Sequence, residues 1–320
     1  MRTPTPARAS MVCICALLLA GCGDDDDGGG GGGGGDGGGG DGGQVEGDGG
    51  SRPGERTLQS CETQIAADVP DFFKTYFRCV TITKTASAVV ITTRSLPPHR
   101  SAYYASTSPN YTAFDPRDGS YHQNPNQLSE ASFSISVPLA PVSRNLTITS
   151  AFVDRQANTN PYEYPGGPVG VALDSVAIFN DQAAPGDDID NERFTFDSYE
   201  AHPAPNGQYH YHSATPGPLE VLVAAGLIPA ATPGSAPLEL YGIMCDGTLV
   251  LGCTELDGSA ISAGAGASLD AQNGHSSDIE DRAGTVHFSA RYHTHVCPGV
   301  LTTHKYMPEI ASYSTCTVTR

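Results

Sequence analysis

The sequence predicts a mainly β fold, a sandwich or barrel-like double sheet with an internal duplication and one or two short helices. Three observations predict it. Short segments rich in β-branched and aromatic residues alternate with Gly, Pro, Asn and Asp clusters. No long stretch repeats at the helical period. Two segments of the second half repeat the same landmarks at matched spacing.

Along the chain, residues 78–94 read as two strands. Residues 132–137 alternate apolar and polar side chains as a half-buried strand does, and residues 145–153 do the same. Asn145-Leu146-Thr147 has the pattern of a glycosylation sequon and reads as strand sequence. The best helix candidate is 218–226, with proline near its start and glycine at its end. The duplication sets residues 169–179 beside 240–250. Asp174 to Asp197 covers 23 positions and Asp246 to Asp270 covers 24. Asp197 and Asp270 each stand five residues before a histidine, His202 and His275. Each copy then ends in a strand with two histidines one residue apart, Tyr209-His210-Tyr211-His212 and Tyr292-His293-Thr294-His295. Two such units packed about a pseudo-two-fold axis would bring the His-x-His strands near each other.

The first 21 residues read as an export signal: Arg2 and Arg8 are basic, 11–20 are apolar, and Leu19-Ala20-Gly21-Cys22 resembles a lipobox. In signals of that kind the cysteine becomes the first mature residue and is acylated, with palmitate among the expected chains. Two or three acyl chains anchor stably where one does not. The expected location is a bacterial membrane, on its periplasmic or cell-surface face, with the lipid bilayer as partner. Residues 22–56 form an Asp/Gly-rich tether, since glycine buries no apolar area to offset ordering. Its root-mean-square span is about 30 Å. Residues 57–320 are the β-rich globular region, long enough for one large or two small domains. Acidic residues number 35 against 17 basic ones, with no basic cluster, which excludes a nucleic-acid partner because phosphate neutralisation needs a basic face.

With Cys13 and Cys15 removed in the signal and Cys22 lipidated, six cysteines remain: Cys61, Cys79, Cys245, Cys253, Cys297 and Cys316. An even number in an oxidising compartment predicts three disulfides. Proximity in sequence favours Cys61–Cys79, Cys245–Cys253 and Cys297–Cys316, the middle pair across an Asp246-Gly247 hairpin turn.

Six of the ten histidines belong to the doubled pattern. On a strand, His210 and His212 face the same side about 6.6 Å apart, the geometry of paired imidazole ligands. The ligand sets are His202, His210 and His212, and His275, His293 and His295, for copper or zinc. Asp197 and Asp270 are expected to receive the distal ring N–H groups. The tyrosines should face away and pack in the core with bonded hydroxyls. Calcium is the second choice of ion, on Asp187-Asp188-Ile189-Asp190-Asn191-Glu192, which lacks the glycine and terminal glutamate of an EF-hand loop. Glu200 is a candidate base for activating water, although Asn273 stands at its place in the second copy. No Gly-x-Ser-x-Gly elbow and no phosphate loop after a strand are present.

The Gly-Gln-Tyr-His-Tyr-His element at 207–212, with its upstream apolar strand and Asp-Gly turn, resembles the YHYH domain family over roughly 145–296. Leu269-Asp270-Ala271-Gln272-Asn273-Gly274-His275 and Gly242 to Gly247 are similar to further family segments. The first copy departs from the pattern at Glu200-Ala201-His202 and the second at Tyr-His-Thr-His. The resemblance implies domain identity and no particular activity. Metal binding is the leading expectation. A metal-dependent hydrolase or oxidase is a second reading, and a structural or adhesion surface module whose histidines only pack is a third.

Overall fold

The computed structural model describes residues 51–184, 187–261, 269–301 and 304–320. The expected signal, Cys22 and the tether up to residue 50 lie outside them. The chain divides after Gly49, and every described residue belongs to the unit Gly50–Arg320. In chain order the first strands are β1 (Gln64–Ile65), β2 (Thr81–Lys84), β3 (Ala88–Thr93) and β4 (Phe133–Pro138). Then come β5 (Gly170–Ala172), β6 (Ala177–Ile178), β7 (Ala201–Pro203), β8 (Tyr209–Tyr211), β9 (Leu240–Met244), β10 (Leu249–Leu251), β11 (Gly274–Glu280), β12 (Val286–His295) and β13 (Thr317–Thr319). Three short helices accompany them: α1 (Asp71–Tyr76), α2 (Ile189–Glu192) and α3 (Pro216–Ala224).

The strands form two mixed sheets, and the expected mainly β double sheet is what the chain adopts. The smaller has the order β1-β2-β3-β4-β13, and neither sheet closes into a barrel. Residues 78–94 give β2 and β3 as the sequence predicts, and 132–137 gives β4. Along β3 and β4 buried and less buried residues alternate, so one face meets the core and the other is more open. The large-sheet strands β5 to β10 are buried at every position, as strands covered on both faces must be. Ile82, Ile91 and Ile135 of the small sheet and Val171, Ile178 and Leu240 of the large one share one hydrophobic core. Polar ties cross it: Thr93 Oγ1 donates to the Ser175 carbonyl at 2.6 Å and Ser95 Oγ to that of Tyr209 at 2.9 Å. The helix candidate at 218–226 is α3, which starts two residues earlier because Thr215 caps it and Pro216 opens it.

The large sheet reads β11-β12-β10-β9-β5-β6-β8-β7, which is a palindrome of the two copies. Each copy is an antiparallel hairpin (β5–β6, β9–β10), whose second strand pairs in parallel with the His-x-His strand (β8, β12). That strand in turn pairs with the strand carrying the upstream histidine (β7, β11). The halves join through β5 and β9, with Val171 opposite Ile243 and Gly170 opposite Met244. The correspondence is one residue displaced from the sequence alignment of 169–179 with 240–250: Gly170 matches Gly242 and Asp174 matches Asp246. The turn sets this frame, because Ser175 and Gly247, which follow those aspartates, both have left-handed φ, 79° and 100°. The axis is therefore present, but it runs between β5 and β9 and sends β8 and β12 outward. Five strand spacings separate them, up to about 24 Å, so the expected approach of the two His-x-His strands does not occur.

Three further expectations are corrected. Residues 145–153 contain no strand: Asn145 has φ +52°, and Ile148, Leu146 and Phe152 satisfy the alternating pattern by packing with Tyr292, Ile310 and Tyr313. The small helix α1 sits where no helix was expected, burying Phe72, Phe73 and Tyr76. Cys61–Cys79 forms as expected, but the other bridges are Cys245–Cys316 and Cys253–Cys297. Cys245 lies in the β9–β10 turn, while four extended residues past Leu249 carry Cys253 roughly 13 Å away. Two Cα atoms more than roughly 7 Å apart cannot be bridged.

Candidate metal centres

In the first half, antiparallel pairing sets His202 of β7 directly opposite His210 of β8, and His212 follows on the same face. The three Nε2 atoms converge: His202 to His210 at 3.1 Å and His210 to His212 at 2.9 Å. All three rings are only 2 % exposed. Their Nδ1 atoms are committed elsewhere. His210 Nδ1 donates to the Gln208 carbonyl at 2.9 Å and His212 Nδ1 to that of Asn180 at 2.6 Å. His202 Nδ1 lies 2.6 Å from Thr195 Oγ1, whose own proton goes to the Glu192 carbonyl. A carbonyl has no proton to give, so His210 and His212 carry their hydrogen on Nδ1 and present a bare lone pair at Nε2, while His202 Nδ1 meets both the Thr195 hydroxyl and, at 3.4 Å, the Asn124 side-chain amide.

Burial, with neighbouring rings adding to it, holds His202 and His210 well below the usual histidine range, and burial brings His212 down to about 4. The cluster therefore buries two neutral acceptors, Nε2 of His210 and of His212, face to face at 2.9 Å. Nitrogens about 2.05 Å from a tetrahedral zinc would stand about 3.3 Å apart, close to the spacing found. Phe179 stacks on His210 at 3.7 Å between centroids. Glu192 Oε1 stands 3.5 Å from His202 Nε2, its Oε2 is buried without a hydrogen-bond partner, and burial pushes its carboxyl up to about 7.

The second half repeats this frame. His275 of β11 faces His293 of β12, His293 Nδ1 donates to the Arg291 carbonyl at 3.0 Å and His295 Nδ1 to that of Gly252 at 2.9 Å. Gly252 corresponds to Asn180, and Arg291 to Gln208, so the same backbone carbonyls fix the rings in both halves. His275 Nε2 and His295 Nε2 are 3.1 Å apart. Here a fourth group enters. Glu255 Oε1 lies 3.0 Å from His275 Nε2 and 3.4 Å from His295 Nε2, and Oε2 lies 3.0 Å from His293 Nε2. Burial works to raise this carboxyl, but protonated imidazoles facing it hold it far below the ordinary range, and a cation on their Nε2 lone pairs would take the place of those protons. Within each set one ligand atom per residue lies within 4.8 Å of all the others.

The six expected ligands thus assemble three by three, and Glu255 is a seventh that sequence reasoning missed. Its place gave no signal: the matching residue of the first copy is Ala183. The aspartates do not take the ring protons. Asp197 accepts from the Tyr209 hydroxyl (2.8 Å) and Ser101 Oγ, and Asp270 from the Tyr292 hydroxyl at 2.6 Å and the Gly274 N–H at 2.8 Å. Each closes the turn that delivers the upstream histidine and locks the tyrosine facing away from the rings. Glu200 is not a base at the site. It pairs with Arg117 at 2.7 Å and occupies the left-handed position, φ +55°, that Asn273 holds at +57° in the other copy. In the run suggested for calcium, Asp188 caps α2, Asp190 pairs with Arg155, and Glu192 faces the first centre. The departure at Thr294 has a compensation: Tyr211 donates to Asp174 at 2.7 Å, and Asp246 instead receives Tyr164 from outside the repeat at 2.8 Å.

Among known proteins, residues 134–260 match the family model described as YHYH protein. The match takes in the first centre and the β9–β10 hairpin and stops before β11. No curated protein and no solved structure matches the chain.

Proposed function

We propose that this YHYH-domain chain binds a transition metal, copper or zinc, at two centres related by the pseudo-two-fold axis of its large sheet. The observation that supports this is the tautomer: backbone carbonyls take the Nδ1 protons of His210, His212, His293 and His295, which turns bare Nε2 lone pairs toward each other in the first half and toward the Glu255 carboxylate in the second. In the first half a structural role alone gives no return for this arrangement, because unpartnered buried acceptors cost free energy. A borderline cation bound by three imidazoles removes that cost. His202, His210 and His212 hold the first ion; His275, His293, His295 and Glu255 hold the second. The Leu19-Ala20-Gly21-Cys22 signal supports a lipid anchor that displays both centres at the bacterial envelope.

Metal analysis of the purified protein tests the reading. Two equivalents per chain are expected, falling to one in His210→Ala/His212→Ala. A protein that takes up no copper or zinc, or a double variant that retains both equivalents, would show the rings serve packing only.

A further inference from the structure

The two centres share a frame but differ at one position. Counted from the matched turns, Phe179 corresponds to Leu251, Asn180 to Gly252 and Ala183 to Glu255. Where the second half sends a carboxylate to all three Nε2 atoms, the first half has a methyl group. Ala183 lines, together with His210 and His212, a cavity of about 650 Å³. The direction that Glu255 closes in one centre is open to a chamber in the other. Glu192 borders the same chamber from α2. Its Oε1 stands 3.5 Å from His202 Nε2, and its buried Oε2 has no partner.

The geometry points to a division of labour, resting on the metal reading above: the Glu255 centre is a closed structural tie, and the Ala183 centre is a hydrolytic site for uncharged esters or amides. The chamber wall supplies the substrate class. Its polar groups include Asn124, Asn126, Asn158, Asn180, Gln182 and Asn191, with Asp187 and Glu192 as its acids and neither lysine nor arginine. Amides recognise neutral hydroxyl, amide and carbonyl groups, while two carboxylates leave a phosphate or carboxylate substrate no lysine or arginine to pair with beyond the ion itself. A water in the open direction forms the new bond to the carbonyl carbon and gives its proton to Glu192. The proton passes to the departing alcohol or amine as its bond to that carbon breaks, leaving a carboxylic acid. No oxidant or reductant enters.

The full chain loaded with cobalt(II) tests this through its visible spectrum, with azide as probe and p-nitrophenyl acetate as substrate. Expected are two cobalt ions, a spectral change on azide at one of them, and ester hydrolysis. Ala183→Glu should keep both ions and lose the azide response and the hydrolysis, because it rebuilds the closed arrangement. Glu192→Gln should keep both ions and the azide response while hydrolysis falls roughly 100-fold, the contribution of a positioned base. Two bound ions with no azide response, or with no hydrolysis, would overturn the division while leaving the metal reading intact. Loss of an ion in Glu192→Gln would make Glu192 a ligand and overturn it as well. A chain that binds no cobalt defeats both readings.

Discussion

The Cys253–Cys297 bridge clamps the second centre, and removing it has separable consequences. Cys253 follows Gly252, whose carbonyl orients His295, and precedes Glu255 by two residues; Cys297 is two residues past His295. The bridge spans 44 residues of sequence. Chain-entropy reasoning for a loop of that length gives about 4 kcal/mol of lost stability in Cys253→Ala/Cys297→Ala. Urea unfolding of metal-free protein measures this term. The Val296 N–H bond to the Leu251 carbonyl, 2.9 Å, still holds β12 to β10, so the sheet should persist. What loosens is the segment carrying Glu255, so copper or zinc affinity should fall at the second centre and stay unchanged at the first, five to six strand spacings away along the sheet. Isothermal titration of the variant, read as one weakened and one intact site, is the assay. Equal weakening of both sites, or unchanged unfolding, would refute this placement of the bridge.

Other consequences follow from single residues. Gly242→Ala puts a Cβ against the Val171 carbonyl oxygen and 2.8 Å from the Ala172 Cα at the join of the two halves, where backbone cannot yield. It should cost about 3 kcal/mol or more in urea unfolding, and a neutral result would contradict the β5–β9 register. Glu255→Ala should weaken metal binding at the second centre by more than roughly 100-fold, since even outer partners of ligands are worth 10 to 100-fold; undiminished affinity in competition titrations would remove Glu255 from the ligand set. His99, stacked on Tyr199 at 3.5 Å and bonded to the Tyr211 hydroxyl, is held at about 3 by burial. A depressed histidine contributes stability that is present above its unfolded value of 6.5 and is lost as pH falls toward the folded value. Between pH 6.5 and 4.5 that is about 2 to 3 kcal/mol, so His99→Gln should show a shallower acid loss of stability than the parent; equal slopes at the two pH values would show His99 is not buried neutral.

The period-two histidines were legible because strand alternation alone puts His210 and His212 on one face, and the duplicated spacing supplied His202 and His275. The mainly β class and the strands β2, β3 and β4 were legible for the same reason. The Nδ1 partners were not, since they are backbone carbonyls from Gln208, Asn180, Arg291 and Gly252, and a carbonyl leaves no mark on sequence. The aspartates were given the wrong partners because the same Asp spacing serves a tyrosine hydroxyl as well as an imidazole. Glu255 was missed, and Glu192 was read only as part of the calcium run, for a different reason. Each closes on its centre from outside the repeated landmarks, one from the turn after β10 and the other from α2. The disulfide pairing needed the β9–β10 hairpin register, which places Cys245 and Cys253 at opposite ends. Distance between the centres depended on which strands meet at the axis, and the short β5 and β9 do not announce that pairing.

Anomalous diffraction at the zinc or copper edge, on crystals of the loaded protein, decides whether the two imidazole clusters hold ions. Two peaks per chain are expected, five to six strand spacings or roughly 24 to 29 Å apart along the sheet. One should lie about 2 Å from Nε2 of His202, His210 and His212, the other at that distance from Nε2 of His275, His293 and His295 and from a Glu255 oxygen. A single peak, peaks away from these nitrogens, or none would contradict it.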